Sequence, residues 1–194
     1  MSALAQTQAS ALARWQQLGW PTTRDEAWRN FSTKPLQELP LTGGIAQGAT
    51  LSAALVASLP SPRVVFVDGR HVANMGHDVA GLSVTPLDAL EQVPTPGAVE
   101  ALNAAHLTDG LAIHATGALG AATLHVVHIV TGRGAAHVRL VVTVDAGATL
   151  TLGEHYIGAS DEAYLMNSVV EVDLAAGAVL ELGTIAVSYT HLTL

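Results

Sequence analysis

The chain has 194 residues, of which 49% are hydrophobic and only 4% aromatic, and it carries a formal net charge of -8. That length supports one domain with a core, or a small domain plus part of a larger one, and the apolar content excludes disorder. The acidic balance argues against a nucleic-acid groove and against an anionic membrane surface, and the absence of cysteine removes disulfides, thiolate metal sites and cysteine nucleophiles.

Residues 2–18 read as a helix with Leu4, Ala11, Trp15 and Leu18 on one face and Gly19 placed to end it. The first residues lack a basic stretch followed by an apolar one, so no secretory signal is expected. The Asn30-Phe31-Ser32 glycosylation pattern is therefore expected to be idle. No apolar run approaches the ~20 residues of a membrane span. Trp20 before Pro21 is expected to be extended. A second short helix is expected from Thr23, where Thr23 and Glu26 have capping-box spacing, with Pro35 stopping it. In it Trp28 is a large apolar anchor and Arg29 a carboxylate-seeking fork, a pair read as docking the N-terminal helices within the chain.

Residues 36–47 read as loop and 51–59 as a short helix. Residues 63–67 form a β-rich run closed by the turn signal Asp68-Gly69. Residues 71–96 carry Gly, Asn and Pro at short intervals and read as irregular. Residues 99–106 read as helix, and Asp109-Gly110 as the next turn.

From Leu111 onward apolar residues recur with a period of two. Leu124, Val126, His128 and Val130 share one strand face. Val138, Leu140, Val142 and Val144 share another, with Arg139, Val141, Thr143 and Asp145 behind them. Met166, Ser168, Val170 and Val172 repeat the pattern. Three segments, Ala121-Ala122-Thr123-Leu124, Gly147-Ala148-Thr149-Leu150 and Gly177-Ala178-Val179-Leu180, each read as a turn opening a strand. Their spacing of about 26 to 30 residues is that of stacked repeats, whose coils bury their apolar faces only by stacking. An antiparallel sandwich with similar turns is the other architecture these strands allow.

Chemical motifs are sparse. His125 and His128 are three apart and so lie on opposite strand faces. His137 and His155 approach them only if coils stack, which leaves a composite site of His125, His128, His137 and His155 as a metal-binding alternative. Glu154 and His155 are adjacent on a strand and point apart, which argues against an acid–base dyad. Gly132-Arg133-Gly134 lacks the third glycine and the helix of a dinucleotide loop and reads as a tight turn. Asp145, Glu154, Glu171, Asp173 and Glu181 leave open a carbohydrate-binding protein or carbohydrate-active enzyme, although their positions do not align in a row.

A series of segments resembles SufD proteins, the iron–sulfur cluster assembly scaffolds of the SUF system, within the SufB/SufD family. It begins with Pro21-Thr22-Thr23-Arg24-Asp25-Glu26-Ala27-Trp28-Arg29-Asn30 and Val64-Val65-Phe66-Val67-Asp68-Gly69-Arg70. It continues through Leu102-Asn103-Ala104-Ala105-His106 with Asp109-Gly110, then His137 and Arg139, Gly147-Ala148, Glu154-His155-Tyr156, and residues 167–172. The order and spacing of the pieces carry the resemblance, from about Pro21 to Ala186.

The resemblance implies a mainly β fold whose core is a truncated right-handed parallel β-helix, preceded by a small helical region. It divides the chain into a helical N-terminal region (1–62), a mixed lead-in (63–110), the first coils of the core (111–186) and a tail (187–194). The tail breaks the Ala/Gly/Val texture and is expected to be non-native, so His191 is matched to no family residue. The implied role is that of a cytoplasmic, non-enzymatic scaffold. It would pair with a SufB-like paralogue and reach a SufC-like ATPase through a C-terminal region beyond this chain. No catalytic or metal residue is carried over. With no thiolate of its own, this segment is expected to bind no cofactor alone; the iron–sulfur cluster, and a reduced flavin, are implied for the full complex.

Overall fold

In the computed structural model, residues 3–42, 57–72, 79–87, 97–159 and 161–187 are described. The first helix, α1 (Ala3–Leu18), ends as its sequence requires. Gly19 takes φ 65° and its N–H donates to Trp15 O at 2.8 Å, closing the last turn with a residue that has no Cβ to clash. Trp15 and Trp20 meet edge to face at 5.0 Å across this reversal.

The expected capping box is displaced by one residue. Asp25, not Glu26, supplies the carboxylate: its Oδ2 accepts from Thr22 N–H at 2.6 Å and from the Thr22 hydroxyl at 3.2 Å. Only a 3-10 turn over Glu26–Trp28 follows. Pro35 does not stop helical structure; it sits in the first turn of a second 3-10 segment, Lys34–Glu38, where its missing N–H costs nothing. The expected helix at 51–59 lies mostly outside the described residues, of which 57 and 58 are helical.

The rest of the chain is mainly β. β1 (Arg63–Val67) turns through Asp68 (φ 52°) and Gly69 (φ 80°) into β2 (Arg70–His71), as Asp-Gly requires for a tight hairpin. Two expectations for the following stretch are corrected. First, β3 (Leu82–Pro86) lies within the run read as irregular and pairs antiparallel with β4 (Asp109–Ala115). Its Pro86 is tolerated because β3 is an edge strand. Second, Asp109-Gly110 opens β4 rather than making a turn. The Asp109 carboxylate accepts from its neighbour Gly110 N–H at 2.8 Å and from His71 N–H at 2.9 Å, which ties β4 to β2. Helix α2 (Ala98–Ala105) precedes β4, as expected.

Strands β5 (Ala118–Val130), β6 (Gly134–Val144), β7 (Thr149–Gly158), β8 (Tyr164–Leu174) and β9 (Val179–Val187) then alternate between two sheets. One sheet has the order β2-β1-β5-β7-β9 and the other β3-β4-β6-β8. Apart from the antiparallel β2 and β3, all pairings are parallel: β1 lies beside β5, and from β4 onward each strand lies beside the next but one in sequence. That pairing excludes the antiparallel sandwich. Val187, where the expected tail begins, pairs with Ile157 as the last residue of β9; residues 188–194 lie outside the described residues.

The inward faces of the two sheets make one core. Val64, Phe66, Leu124, Val126, Leu150 and Leu152 from the first sheet meet Leu111, Ile113, Val138, Leu140, Val142 and Val144 from the second. Each such side chain, fully buried, stabilises the fold by roughly 1.5–3 kcal/mol. The narrow space between the sheets suits Val, Leu and Ala.

Turns stack as the strands do. Asp145-Ala146-Gly147-Ala148 and Ala175-Ala176-Gly177-Ala178 are tight turns with glycine at φ 70° and 71°, and Ala148 N–H and Ala178 N–H each donate back across their own turn. Gly147 N–H donates to Ala176 O at 3.1 Å, and Val179 N–H to Ala148 O at 2.9 Å, so one turn lies on the next. The first turn of this stack is at Thr116-Gly117, not at Ala121: Thr149 N–H donates to Gly117 O, and Ala121–Leu124 falls inside β5. Between Ala118 and Thr123 the strand advances five positions while β7 advances two, and that bulge displaced the expected repeat.

Helix α2 lies on the outer face of the second sheet against β6 and β8, and α1 packs on α2. At the far ends of the sheets, β8 and β9 are edge strands. Their apolar residues Val172, Leu174, Val179, Leu182 and Ile185 are each about half exposed.

Candidate functional site

The pleat decides which way each polar residue faces, and the parallel register decides which ones meet. Phe66, His128 and Tyr156 occupy one cross-strand row pointing into the core. The His128 ring stacks between Phe66 (5.2 Å) and Tyr156 (4.7 Å). Beside this row, Glu154 is buried, and its Oε1 faces three groups: His128 Nε2 at 3.3 Å, the Tyr156 hydroxyl at 3.0 Å and the Ser168 hydroxyl at 3.2 Å.

Burial penalises the Glu154 charge, but these hydrogen bonds outweigh it and hold the carboxyl below the usual carboxylate range. Burial and the Glu154 charge together push the Tyr156 phenol well up. His128 Nδ1 is buried with no hydrogen-bond partner. This polar cluster in an apolar core was not visible in sequence, because His128 and Glu154 become neighbours only through the 28-residue register offset that sets His128 opposite Tyr156.

His125 lies on the opposite, outer face of the same strand, as period two requires. Its Nδ1 stands 2.8 Å from His155 Nε2 on β7. His155 follows Glu154 and faces away from it, so the adjacent pair forms no dyad, in agreement with the sequence. Gly153 pairs with His125 in register, and the two rings close over it: a Cβ there would lie 3.2 Å from His125 Nδ1 and 3.5 Å from His155 Nε2. Burial, and then the proximity of His155, lower the His125 pKa.

His137 sits elsewhere, buried on the outer face of the second sheet. Its ring accepts at Nδ1 from Asn167 Nδ2 (3.3 Å) and donates from Nε2 to Leu41 O (3.3 Å). Burial and the nearby His106 ring bring its pKa down to about 4, against the opposing pull of the Leu41 carbonyl. The four histidines therefore do not form one cluster. His125 and His155 pair, while His128 and His137 each go to a different environment. Among the described residues no group of three or more His, Asp or Glu converges to hold a metal.

On the same outer face, Arg139 is fully buried and anchors helix α2. Its guanidinium pairs with Glu171, donates from Nε to Asn103 Oδ1 at 3.0 Å and reaches Glu100 O. Asn103 Nδ2 in turn donates to Val138 O on β6 and Asn167 O on β8, both at 2.8 Å. Asn167 Nδ2 donates back to Val99 O on α2 at 3.0 Å. Burial lowers the Arg139 pKa, opposed by Glu171.

The remaining carboxylates scatter. Asp145 pairs with His114 at 2.8 Å at a turn, Glu181 accepts from the Thr151 hydroxyl on the outer face of the first sheet, and Glu171 is engaged by Arg139. Asp173 lies two residues beyond Glu171 on the outer face of β8, opposite Thr143, so with Glu154 facing inward and Glu181 on the other sheet the five do not line one face. Trp28 packs edge to face on Phe31 and, with Leu18, Trp20, Pro21 and Val99, lines a cleft of about 510 Å³ between the N-terminal segment and the start of α2. The Arg29 fork closes on Glu26 at 3.1 Å within its own turn, an exposed pair that adds little stability. Among the described residues no helix is long and apolar enough to cross a membrane.

No family model matches the chain. Among curated proteins, it is 28% identical over 178 residues to the iron–sulfur cluster assembly protein SufD of Escherichia coli (strain K12), an alignment covering 84% of this chain. The chain spans 41% of that relative's length. The SufD-like character expected from the sequence is thereby borne out over most of the chain.

Proposed function

We propose that this chain is part of a cytoplasmic scaffold subunit for iron–sulfur cluster assembly, working with a SufB-like paralogue and a SufC-like ATPase and carrying no catalytic centre of its own. The observation that carries the reading is the colinear likeness to SufD over 84% of the chain. The two alternating sheets are, on this reading, the walls of a right-handed parallel β-helix, each coil contributing one strand to each wall. Parallel pairing at offsets of about 30 residues and hydrogen-bonded turn stacking support it.

The geometry suits a strut. The antiparallel β2 and β3 close one end of both sheets, and β8 and β9 form the other edge. Their half-exposed apolar residues fit a further strand pair in the same register. Clusters are cargo here rather than a resident group: these 194 residues contain no cysteine and so supply no thiolate ligand. Reduced flavin likewise belongs to the assembled complex.

The test is deletion of the parent gene, followed by assays of iron–sulfur enzymes during growth under iron limitation. The proposal predicts loss of their activity, restored by the gene in trans. Full activity in the deletion strain would overturn it. The metal-binding alternative survives only in the reduced form that the His125–His155 pair permits.

A further inference from the structure

From the facing nitrogens of His125 and His155 we infer that this pair is a two-histidine binding site for a borderline divalent transition-metal ion, of which Zn2+ is the type. The inference is independent of the scaffold role. It rests on three features of the outer face of the first sheet.

The first is distance. Nδ1 of His125 and Nε2 of His155 face each other at 2.8 Å across neighbouring strands. A tetrahedral ion with Zn–N bonds of about 2.0–2.1 Å sets two ligand nitrogens roughly 3.3 Å apart. Opening the pair by about half an ångström, within the reach of small side-chain rotations, replaces the shared proton by a metal. That proton moves to a ring nitrogen on the far side, so both imidazoles stay neutral and offer their lone pairs.

The second is space. The residue opposite His125 on β7 is Gly153, and opposite it on β9 is Gly183. A Cβ at Gly153 would lie 3.2 Å from His125 Nδ1 and 3.5 Å from His155 Nε2, so the glycine keeps the floor beneath the two nitrogens free. Both rings are partly exposed, which leaves the remaining coordination positions to water.

The third is charge. The cation opposite His125 on β1 is Arg63, whose guanidinium is turned to Leu59 O, Pro60 O and the Ser61 hydroxyl. On the same outer face Glu181 supplies a negative charge one row away, held by Thr151. Imidazole nitrogens with water match Zn, Cu, Ni and Fe rather than Mg or Ca.

The experiment is a titration of the untagged chain with Zn2+ by calorimetry, with thermal unfolding in the same buffers as a second readout. One equivalent is expected to bind and to raise the melting temperature, as any native-state ligand does. His125→Ala and His155→Gln should each weaken binding by more than ~100-fold, beyond the 10–100-fold typical of losing an outer-shell partner. Gly153→Ala should weaken it by at least ~10-fold through the added methyl. His114→Ala, at the distant Asp145 pair, should bind as the parent does. His155→Gln retains a long polar side chain and serves should His125→Ala fail to fold. Equal Zn2+ affinity in the His125→Ala/His155→Gln double variant, or no saturation by about 1 mM Zn2+, would overturn the assignment.

Discussion

Asn103 provides the sharpest test of how the helical region is fixed to the β core. Its amide is fully buried, and it makes three hydrogen bonds: two donated to the carbonyls of Val138 and Asn167 on neighbouring strands, and one accepted from Arg139. At a net ~1 kcal/mol each, Asn103→Ala removes about 3 kcal/mol, and the stranded Arg139 Nε adds about another 1 kcal/mol. For a chain of this size the melting temperature should fall by roughly 10 °C. Asn103→Asp discriminates the mechanism. It is isosteric and places a negative charge beside Arg139, but it presents an acceptor to two carbonyls. Urea unfolding followed by circular dichroism should show both variants destabilised, with Asn103→Asp no better than Asn103→Ala. An Asn103→Asp variant as stable as the parent would mean that the Arg139 charge, not the bridging of β6 and β8, holds α2, and the reasoning would fail.

Other outcomes follow from the same geometry. His137 binds a proton only near pH 4 when folded, against 6.5 ordinarily, so the unfolded chain takes up more protons between those values. Stability is therefore whole above pH 6.5 and declines as pH falls toward 4, by at most about 3 kcal/mol, and His137→Gln should flatten that slope in unfolding curves measured across the window. Glu154→Gln keeps the shape but removes the charge that three donors surround, and should cost ~2 kcal/mol in the same assay, whereas an unchanged midpoint would deny the cluster its role. Gly147→Ala meets no atom within 4 Å and should cost only the positive-φ penalty of ~1–2 kcal/mol. Gly69→Ala adds a Cβ 2.6 Å from that of Ala136 and should be clearly worse; equal melting temperatures for the two would contradict the packing at the hairpin.

Much of this fold is legible in local sequence. Val138, Leu140, Val142 and Val144 announce their buried face by alternation alone, and Asp68-Gly69 announces its hairpin. Gly147 and Gly177 mark stacked turns because each needs a positive φ. The capping box at Thr22 and Asp25 was missed locally, by one residue, but the larger failures are non-local. Asp109-Gly110 has the composition of a turn, yet Asp109 is held straight by the backbone of His71, and Arg139 O comes so close that a Cβ at Gly110 would lie 2.7 Å from it. β3 lies among Gly, Asn and Pro and itself ends in Pro86, so it does not stand out without its partner β4. The histidine pair, and the seat of Glu154 beneath His128, depend on a register shifted by the β5 bulge, which no periodicity reveals. Arg139 and Asn103 stood within recognisable segments, but a charged residue on the back of a strand reads as solvent-facing until a helix is found to cover it.

The proposed role makes the native protein a working part of a cluster-assembly complex. Its most direct measurement is purification of the native protein from its own source under gentle conditions, followed by identification and quantification of what co-elutes with it. The account predicts stoichiometric SufB-like and SufC-like subunits in one assembly. A protein that elutes by itself, or that holds neither of them, would contradict it.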